Sequence, residues 1–312
     1  MRGYIQMKIG LIGNGNQTKR IKKIIEKKKI SFLIYKPDRP KYFDNNLYSK
    51  LQKCNVIFIL SPNDTHFKYI KKLYRGRYIF CEKPPVNNTK DLSMLKKINK
   101  NKIYFNYNFR FAKLSLILEK YKNKLGKLIY SNLINGHGLA KKKDYKTSWR
   151  SKKSKCPKGV FEIVSIHWID LINYHFGIKK INSPKLINSS KIGDSFDTSL
   201  VELETKKNAN INIFSTYNSP FSKRAVFVFE NGLIEQIDEK ITVRGPAKNF
   251  DKNGFFKTPK LIFNISIKDL TDYHNSLEGS LNFFLNVVKK NKSFKNHLFN
   301  CSIQSNQLIL KK

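Results

Sequence analysis

An apolar run that ends in a glycine turn constrains the fold more than any other part of this chain. Residues 7–12 predict a short strand, and isoleucines at positions 21, 24 and 25 predict a helix soon after it. A strand, a glycine turn and a helix in this order form the context of a dinucleotide-binding fingerprint, in which the helix N-terminus holds a pyrophosphate. Thr18 replaces the third glycine, so the fingerprint is incomplete. The residues predicted to contact the cofactor here are Gly13, Asn14, Gly15 and Asn16.

Apolar runs alternate with helical patterns over the first 125 residues. The run at 54–60 is almost continuously apolar, which is typical of a strand covered on both faces. Strands alternating with helices predict a right-handed, doubly wound parallel sheet. We therefore assign residues 1–125 to a Rossmann domain. Further strands are predicted at 31–35, 78–81 and 103–107, and helices at 67–74 and 91–99.

The second part of the chain, from about residue 127, has a different pattern of short strands. Asn231-Gly232 lies between two of them and is a strong hairpin signal. We predict an α+β domain over 126–312 with an antiparallel sheet, a final amphipathic helix at 276–288 and a flexible lysine-rich loop at 141–158. The predicted strands are 128–134, 199–203, 211–217, 225–229, 233–237 and 241–243.

A charged pair, Glu82-Lys83, follows the predicted strand at 78–81. Ligands bind at the carboxyl ends of strands in open parallel sheets, so this pair is placed for chemistry. Pro84 and Pro85 end the strand and stiffen the backbone behind Lys83. A surface salt bridge at a strand end is the alternative interpretation.

The net charge of +39 over 312 residues points first to nucleic acid or an acidic membrane surface. The lysines are spread along the whole chain, however, and accompany abundant asparagine and isoleucine, as an AT-rich genome would produce. No nucleic-acid-binding module is recognisable, and no apolar run reaches the roughly 20 residues that span a bilayer. We expect neither nucleic acid nor membrane as a partner. An anionic cofactor and substrate would still benefit from this positive field.

The four cysteines are widely spaced and form no CxxC pair. This spacing argues against a zinc site or a disulfide framework and fits a reducing compartment. The N-terminus also lacks the apolar region of a secretory signal. We therefore expect a cytoplasmic protein without a metal.

Cofactor choice depends on the end of the predicted second strand. NAD enzymes usually carry an acidic residue about 20 residues past the fingerprint, to hold the ribose 2′-hydroxyl. No acid follows Tyr35 directly, and Lys36 and Arg39 are suited to a 2′-phosphate, which favours NADP. The acidic residue Asp38 lies close to this position, so NAD is the alternative cofactor.

Five motifs in one order resemble the Gfo/Idh/MocA family of NAD(P)-dependent oxidoreductases, which includes glucose–fructose oxidoreductases and inositol dehydrogenases. They are Gly13-Asn14-Gly15, Ser61-Pro62-Asn63-Asp64-Thr65-His66, Glu82-Lys83-Pro84, Asn106-Tyr107-Asn108-Phe109-Arg110-Phe111 and His167-Trp168-Ile169-Asp170. The resemblance is strong over residues 8–177. It implies a large, open, mostly antiparallel sheet in the second domain, and a homo-oligomer, either a dimer or a tetramer.

The resemblance implies hydride transfer between a nicotinamide and a sugar or nucleotide-sugar hydroxyl, with His167 as acid/base. An imidazole can accept the hydroxyl proton near neutral pH, and the Lys83 ammonium can stabilise the developing alkoxide. A satisfied core histidine is the alternative for His167. The other implied cofactor residues are Ser61, Pro62, Asn63, His66, Glu82 and Lys83. The implied substrate residues are Lys83, Asn106, Arg110, His167 and Asp170.

One departure from the family bears on catalysis. Many members carry an aspartate four residues before the catalytic histidine, where this chain has Ile163. Glu162 lies about 100° away around a regular helix. Three possibilities follow: His167 and Lys83 suffice, Asp170 or Glu162 substitutes for the aspartate, or the protein binds dinucleotide or sugar without turnover.

Overall fold

The structure is a computed structural model that describes residues 6–36, 45–246 and 249–311. The chain divides into two compact units, Met1–Asn108 with Leu277–Leu310, and Phe109–Ser276 with Lys311–Lys312. The first unit therefore takes in a C-terminal segment. The domain boundary at 125/126 remains a prediction.

The first unit contains a parallel sheet of five strands, in the order β2-β1-β3-β4-β5, within the described residues. This order confirms the predicted doubly wound sheet. The strands are β1 (Ile9–Ile12), β2 (Phe32–Tyr35), β3 (Val56–Ile59), β4 (Tyr78–Glu82) and β5 (Ile103–Asn106). The helices between them are α1 (Asn16–Lys27), α2 (Asn45–Gln52), α3 (His66–Leu73) and α4 (Thr89–Lys97).

The burial of this sheet follows from its sequence. All residues of β1, β3 and β5 are buried, as expected for strands covered on both faces. The edge strand β2 is mostly half-buried. Ile21 and Ile25 of α1 are one turn apart and fully buried. The helix is therefore buried on the apolar face that its amphipathic pattern predicts.

The second unit is built around a mixed sheet. Its nine described strands follow the order β14-β13-β12-β11-β6-β10-β9-β7, and β8 pairs with β9. All pairs are antiparallel except β6 with β10, which confirms the mostly antiparallel prediction. The helices are α5 (Lys113–Leu125) and α6 (Ile166–Phe176). The strands are β6 (Leu128–Gly136), β7 (Ile178–Ile181), β8 (Lys185–Ile187), β9 (Thr198–Thr205), β10 (Asn210–Thr216), β11 (Ser222–Phe229), β12 (Gly232–Ile237), β13 (Lys240–Arg244) and β14 (Leu261–Ser266).

Each strand predicted for this part of the chain is present, and the hairpin is confirmed, since Phe229 pairs with Gly232 across a two-residue loop. Strands β7, β8 and β14 are additional. The lysine-rich segment at 141–158 contains two 3₁₀ turns, Tyr145–Thr147 and Trp149–Ser151, that follow a third at Leu139–Lys141. It also buries Tyr145, Ser151 and Cys156, which a flexible loop would leave exposed.

The C-terminal helices are α7 (Asp269–Lys289) and α8 (Asn296–Leu310). The helix predicted at 276–288 is present within α7, but α7 begins earlier and is not the last helix, since α8 follows it. In the first unit, the Phe284 ring of α7 packs edge-on against Phe58 and Phe80, with centroids 5.4 and 5.3 Å away. The Asn306 amide of α8 bonds both the N–H and the carbonyl of Val86. These helices thus complete the core around the parallel sheet.

Candidate functional site

The turn after β1 is shaped by two glycines with different requirements. Gly13 has φ +131°, and a Cβ there would lie 2.7 Å from the Leu60 carbonyl oxygen. Its N–H donates to the Tyr35 carbonyl at 2.9 Å, which ties the turn to the end of β2. Gly15 has an ordinary φ of −80° and is the N-cap of α1. A Cβ on Gly15 would meet nothing within 4 Å, so the space in front of the helix is open.

The first turn of α1 fits an anionic ligand. Gly15 has no side chain with which to cap the helix, and the first turn contains no acidic residue. The Thr18 hydroxyl oxygen is buried and has no hydrogen-bond partner among the described residues. Unbonded N–H groups at a helix N-terminus attract phosphate. The residues present therefore fit the pyrophosphate of a dinucleotide, with exposed Asn14 and Asn16 beside it.

The end of β2 bears on cofactor choice. Lys36 directly follows Tyr35 and is exposed. Asp38 and Arg39, the other two residues invoked for the ribose 2′ position, lie outside the described residues.

The segment after β3 is held by buried hydrogen bonds. The Ser61 hydroxyl lies 2.6 Å from that of Thr65, which donates to the Pro62 carbonyl at 2.7 Å. Fully buried His66 brings its ring nitrogens within 2.8 Å of the Pro84 carbonyl and 2.9 Å of the Ser61 carbonyl. Burial lowers the pKa of His66, so the neutral ring donates to one of these oxygens. His66 therefore acts on a ligand only through the backbone it braces, whereas Pro62 and Asn63 remain accessible.

The Glu82 carboxylate joins three elements at the carboxyl edge of the sheet. Its Oε1 accepts from Gln17 Nε2 of α1 at 2.9 Å and from Asn106 Nδ2 of β5 at 2.7 Å. The Ser280 hydroxyl donates to Asn106 Oδ1 at 2.6 Å and lies 2.8 Å from the Tyr104 hydroxyl. Burial raises the pKa of Glu82, while the bonds from Asn106 and Gln17 and the charge of Lys83 oppose that rise. This network fixes the position of the residue before Lys83.

Lys83 is the first residue beyond β4 and is half-buried. The peptide bond to Pro84 is cis. Pro84 is also the residue whose carbonyl meets His66, so the backbone on this side of Lys83 is fixed as well.

In the second unit, Arg110 and Asp170 form a buried bidentate ion pair. Arg110 Nε donates to Asp170 Oδ2 at 2.8 Å, and Nη2 donates to Oδ1 at 2.7 Å. The side chains are 3% and 0% exposed. The Arg110 guanidinium also lies over the Tyr174 ring, 5.3 Å from its centroid.

His167 lies one turn before Asp170 on α6 and is partly exposed. Its ring stacks on Phe109, with centroids 4.5 Å apart and planes 23° from parallel. The structure thus groups His167, Asp170 and Arg110 within one unit. Glu82, Lys83 and Asn106 belong to the other unit.

The helix around Ile163 is distorted, because residues Phe161–Ser165 form a π-helical turn before α6. The Glu162 side chain bonds to the backbone that precedes this turn, since its Oε1 accepts the Lys158 N–H at 3.1 Å. Ile163 packs against an apolar cluster that includes Tyr145, Val164 and Tyr217. Both oxygens of Asp170 accept from Arg110, and the substitution of Glu162 or Asp170 for the missing aspartate stays a prediction.

Sequence patterns did not identify three residues of this arrangement. Gln17 and Ser280 support Glu82 from parts of the chain distant in sequence, and Phe109 contacts His167 across 58 positions. Phe109 lies inside a motif that was singled out, but nothing in the motif indicated its contact. Local patterns carry no signal for such pairs.

Other kinds of site have little support. In the described ranges, no group of three or more His, Cys, Asp or Glu side chains could hold a metal ion. No helix among the described residues has the length and apolarity to cross a bilayer. The described cysteines, Cys54, Cys81, Cys156 and Cys301, form no disulfide.

The parallel sheet, glycine turn and open helix N-terminus define the first unit as a dinucleotide-binding Rossmann fold. Residues 16–107 match the oxidoreductase family with an NAD-binding Rossmann fold named Gfo/Idh/MocA. The resemblance to the Gfo/Idh/MocA oxidoreductases found in the sequence is therefore confirmed over this stretch. No curated protein matches the chain.

Solved structures share the fold at low sequence identity. A levoglucosan dehydrogenase in complex with NADH and levoglucosan is 15% identical, with 97% of this chain and 95% of that chain covered and a TM-score of 0.74. A myo-inositol dehydrogenase from Corynebacterium glutamicum is 16% identical, with 98% and 95% covered and a TM-score of 0.71. An Agrobacterium radiobacter oxidoreductase in complex with NAD+, L-tartaric acid and magnesium is 13% identical, with 98% and 94% covered and a TM-score of 0.78.

Proposed function

We propose that this protein is an NAD(P)-dependent oxidoreductase that acts on a secondary hydroxyl or ketone of a sugar or nucleotide sugar. The observation that carries the proposal is the position of Lys83, directly beyond buried strand β4 and beside a Glu82 that Gln17 and Asn106 hold. This arrangement lies at the carboxyl edge of the sheet, where Rossmann folds bind their ligands. It also falls in the stretch that matches the oxidoreductase family.

The proposed chemistry divides between two residues. The Lys83 ammonium stabilises the negative charge that develops on the substrate oxygen. The His167 imidazole accepts the hydroxyl proton in oxidation and returns it in reduction. A nicotinamide dinucleotide held at the turn after β1 would supply the acceptor or donor of the hydride. Asn106, Arg110 and Asp170, which are buried, support substrate binding by holding Glu82 and helix α6 in place.

The cofactor-binding part of the proposal depends on the turn after β1. The open space before Gly15 and the buried Thr18 hydroxyl support a pyrophosphate there. The exposed ammonium of Lys36 supports NADP over NAD. A sugar-type substrate has the support of fold neighbours described as levoglucosan and myo-inositol dehydrogenases. We further propose a homo-oligomer, and a cytoplasmic location that the lack of disulfides among the described cysteines supports.

The test is turnover with NAD+ and NADP+ against a panel of sugars, polyols and nucleotide sugars, followed by nicotinamide absorbance. We expect reduction of one dinucleotide with at least one sugar-type alcohol. Oxidation of simple alcohols alone, or no dinucleotide binding in a fluorescence titration, would overturn the proposal.

A second candidate is a family member that binds dinucleotide or sugar without turnover. The observation that favours it is Ile163, which packs among apolar side chains at the position where the family resemblance implies a carboxylate. Tight dinucleotide binding without turnover in either direction, across the whole panel, would support this candidate over the first.

A further inference from the structure

The 3₁₀ turn Asn108–Phe111 contacts helix α6 at two points one helical turn apart. Phe109 stacks on the His167 ring, and Arg110 clamps the Asp170 carboxylate. We propose that Phe109 is a positioning residue of His167, and that its ring sets the plane of the imidazole. This inference rests on the proposed function for its catalytic consequence only.

Stacking suits this task because it fixes the plane of a ring. At a centroid distance of 4.5 Å and an angle of 23°, the Phe109 and His167 faces are in contact. Both imidazole nitrogens bond in the ring plane, so an aromatic ring on the face does not itself cover them. The isoleucine at position 163 can pack against neighbours but cannot orient an imidazole through a hydrogen bond.

Phe109 is itself held on more than one side. The Trp168 ring meets it nearly perpendicularly, at 82° and 5.5 Å. The Lys223 ammonium lies 5.7 Å from its centroid, within the range of a cation–π contact. Only 9% of Lys223 is exposed, so this cation has little freedom to leave the ring.

The cation behind Phe109 is anchored by acidic residues at the start of α7. Lys223 Nζ lies 3.3 Å from Asp272 Oδ2 and 3.7 Å from Asp269 Oδ1. The other oxygen of Asp272 accepts the Lys113 N–H at 2.8 Å, at the start of α5. Strand β11 and two helix N-termini thus hold the group that contacts Phe109. The aromatic ring is a fixed support.

The turn also fixes which residue of α6 meets the ring. Arg110 is adjacent to Phe109, and its two bonds to Asp170 allow only one alignment of the turn with the helix. Because His167 precedes Asp170 by three positions, it lies one turn back on the same face. The ion pair and the stack therefore act together, the first setting alignment and the second setting the ring plane.

The experiment is proton NMR of the histidine ring signals in the intact protein. His167 signals are assigned by their loss in His167→Gln. A proton over an aromatic face is shifted upfield, so Phe109→Leu should move the His167 signals downfield, and Phe109→Tyr should leave them in place. Phe256→Leu is the matched control, since that phenylalanine is 91% exposed. Phe109→Met provides a second non-aromatic variant should the leucine variant fold poorly.

Turnover gives the second readout. We expect Phe109→Leu to lower kcat by roughly 10- to 100-fold with little change in KM, because it misplaces a reacting group. Phe109→Tyr keeps an aromatic ring at this position and should keep the wild-type kcat. Unchanged His167 signals in both non-aromatic variants would overturn the inference. If the signals move but no variant or wild-type protein turns over, the stack is established and the proposed function fails.

Discussion

Arg110 and Asp170 form a fully buried ion pair with two parallel hydrogen bonds, Nε to Oδ2 at 2.8 Å and Nη2 to Oδ1 at 2.7 Å. Bidentate geometry of this kind satisfies both carboxylate oxygens at once. The pair links the turn after β5 to helix α6, the helix that carries His167. Removing one member of the pair lowers stability far more than removing both, because the remaining side chain stays charged and buried.

Replacing one member of this pair should destabilise the protein strongly. We expect Arg110→Met to reduce the free energy of unfolding by about 3–5 kcal/mol, since the Asp170 carboxylate would remain buried without its cation. Urea unfolding followed by circular dichroism measures this. The double variant Arg110→Met with Asp170→Leu should recover much of the loss. A double variant as unstable as the single one would show that packing, not charge, determines the cost.

Alanine should have different effects at the two glycines after β1. It should lower stability at Gly13 and weaken dinucleotide binding at Gly15. Gly13→Ala should lower stability by roughly 1–3 kcal/mol, because φ is +131° and the new Cβ would meet the Leu60 carbonyl at 2.7 Å. Gly15→Ala has room for its Cβ and an ordinary φ, so its melting temperature should fall little. Its methyl group would intrude on the space assigned to the pyrophosphate.

The measurement pairs thermal unfolding with NADH and NADPH fluorescence titration. We expect Gly15→Ala to weaken dinucleotide binding at least tenfold while the protein stays folded. Equal binding by Gly15→Ala and wild type would place the pyrophosphate elsewhere.

Lys83 should contribute more to turnover than any other single side chain. Removing a group that stabilises an oxyanion typically costs about 10²–10³ in kcat, so Lys83→Ala should lose at least that much. Lys90→Ala, which removes an exposed lysine of α4, is the matched control and should keep full activity. If Lys83→Ala retained wild-type turnover, the proposed substrate contact would be wrong.

Local patterns predicted the elements whose apolar residues follow a clear period. The apolar runs that form β1, β3 and β5 are short and fully buried. Gly13 indicates the turn after β1, because the backbone there needs a positive φ that glycine adopts readily. Helix α8 escaped prediction because its buried face is partly polar and includes Ser302, Ser305 and Asn306. Asn306 bonds Val86, and the two residues are 220 positions apart in the sequence.

The candidate site shows the same division between local and distant information. Motifs located Glu82, Lys83 and His167, whose residue types and positions are local features. The partners that hold Glu82, namely Gln17 and Ser280 through Asn106, come from distant elements. The parallel pairing of β6 with β10 is equally unreadable from sequence, since register between strands some 80 residues apart is set by the whole sheet.

His175 should make stability depend on pH in a defined direction. Its side chain is 1% exposed, and burial together with the charge of Lys122 lowers its pKa from 6.5 to about 4. The neutral ring fits its neighbours, because Nε2 lies 2.8 Å from the Ser115 hydroxyl and Nδ1 can accept from Lys122 at 3.5 Å. As pH falls from 6.5 towards 4, the unfolded chain binds a proton that the folded protein does not. The free energy of unfolding should therefore decrease over this interval, by roughly 1–3 kcal/mol from this residue.

Urea unfolding at a series of pH values between 7 and 4 checks this, with His175→Gln as the test variant. Glutamine does not titrate, so the variant should start less stable at neutral pH and lose less as the pH falls. His297→Gln, at an exposed position, controls for the removal of a histidine and should keep the wild-type slope. Parallel pH profiles for wild type and His175→Gln would mean that other groups, such as the exposed carboxylate of Glu119 that lies 3.3 Å from the ring, keep His175 protonated in the folded protein.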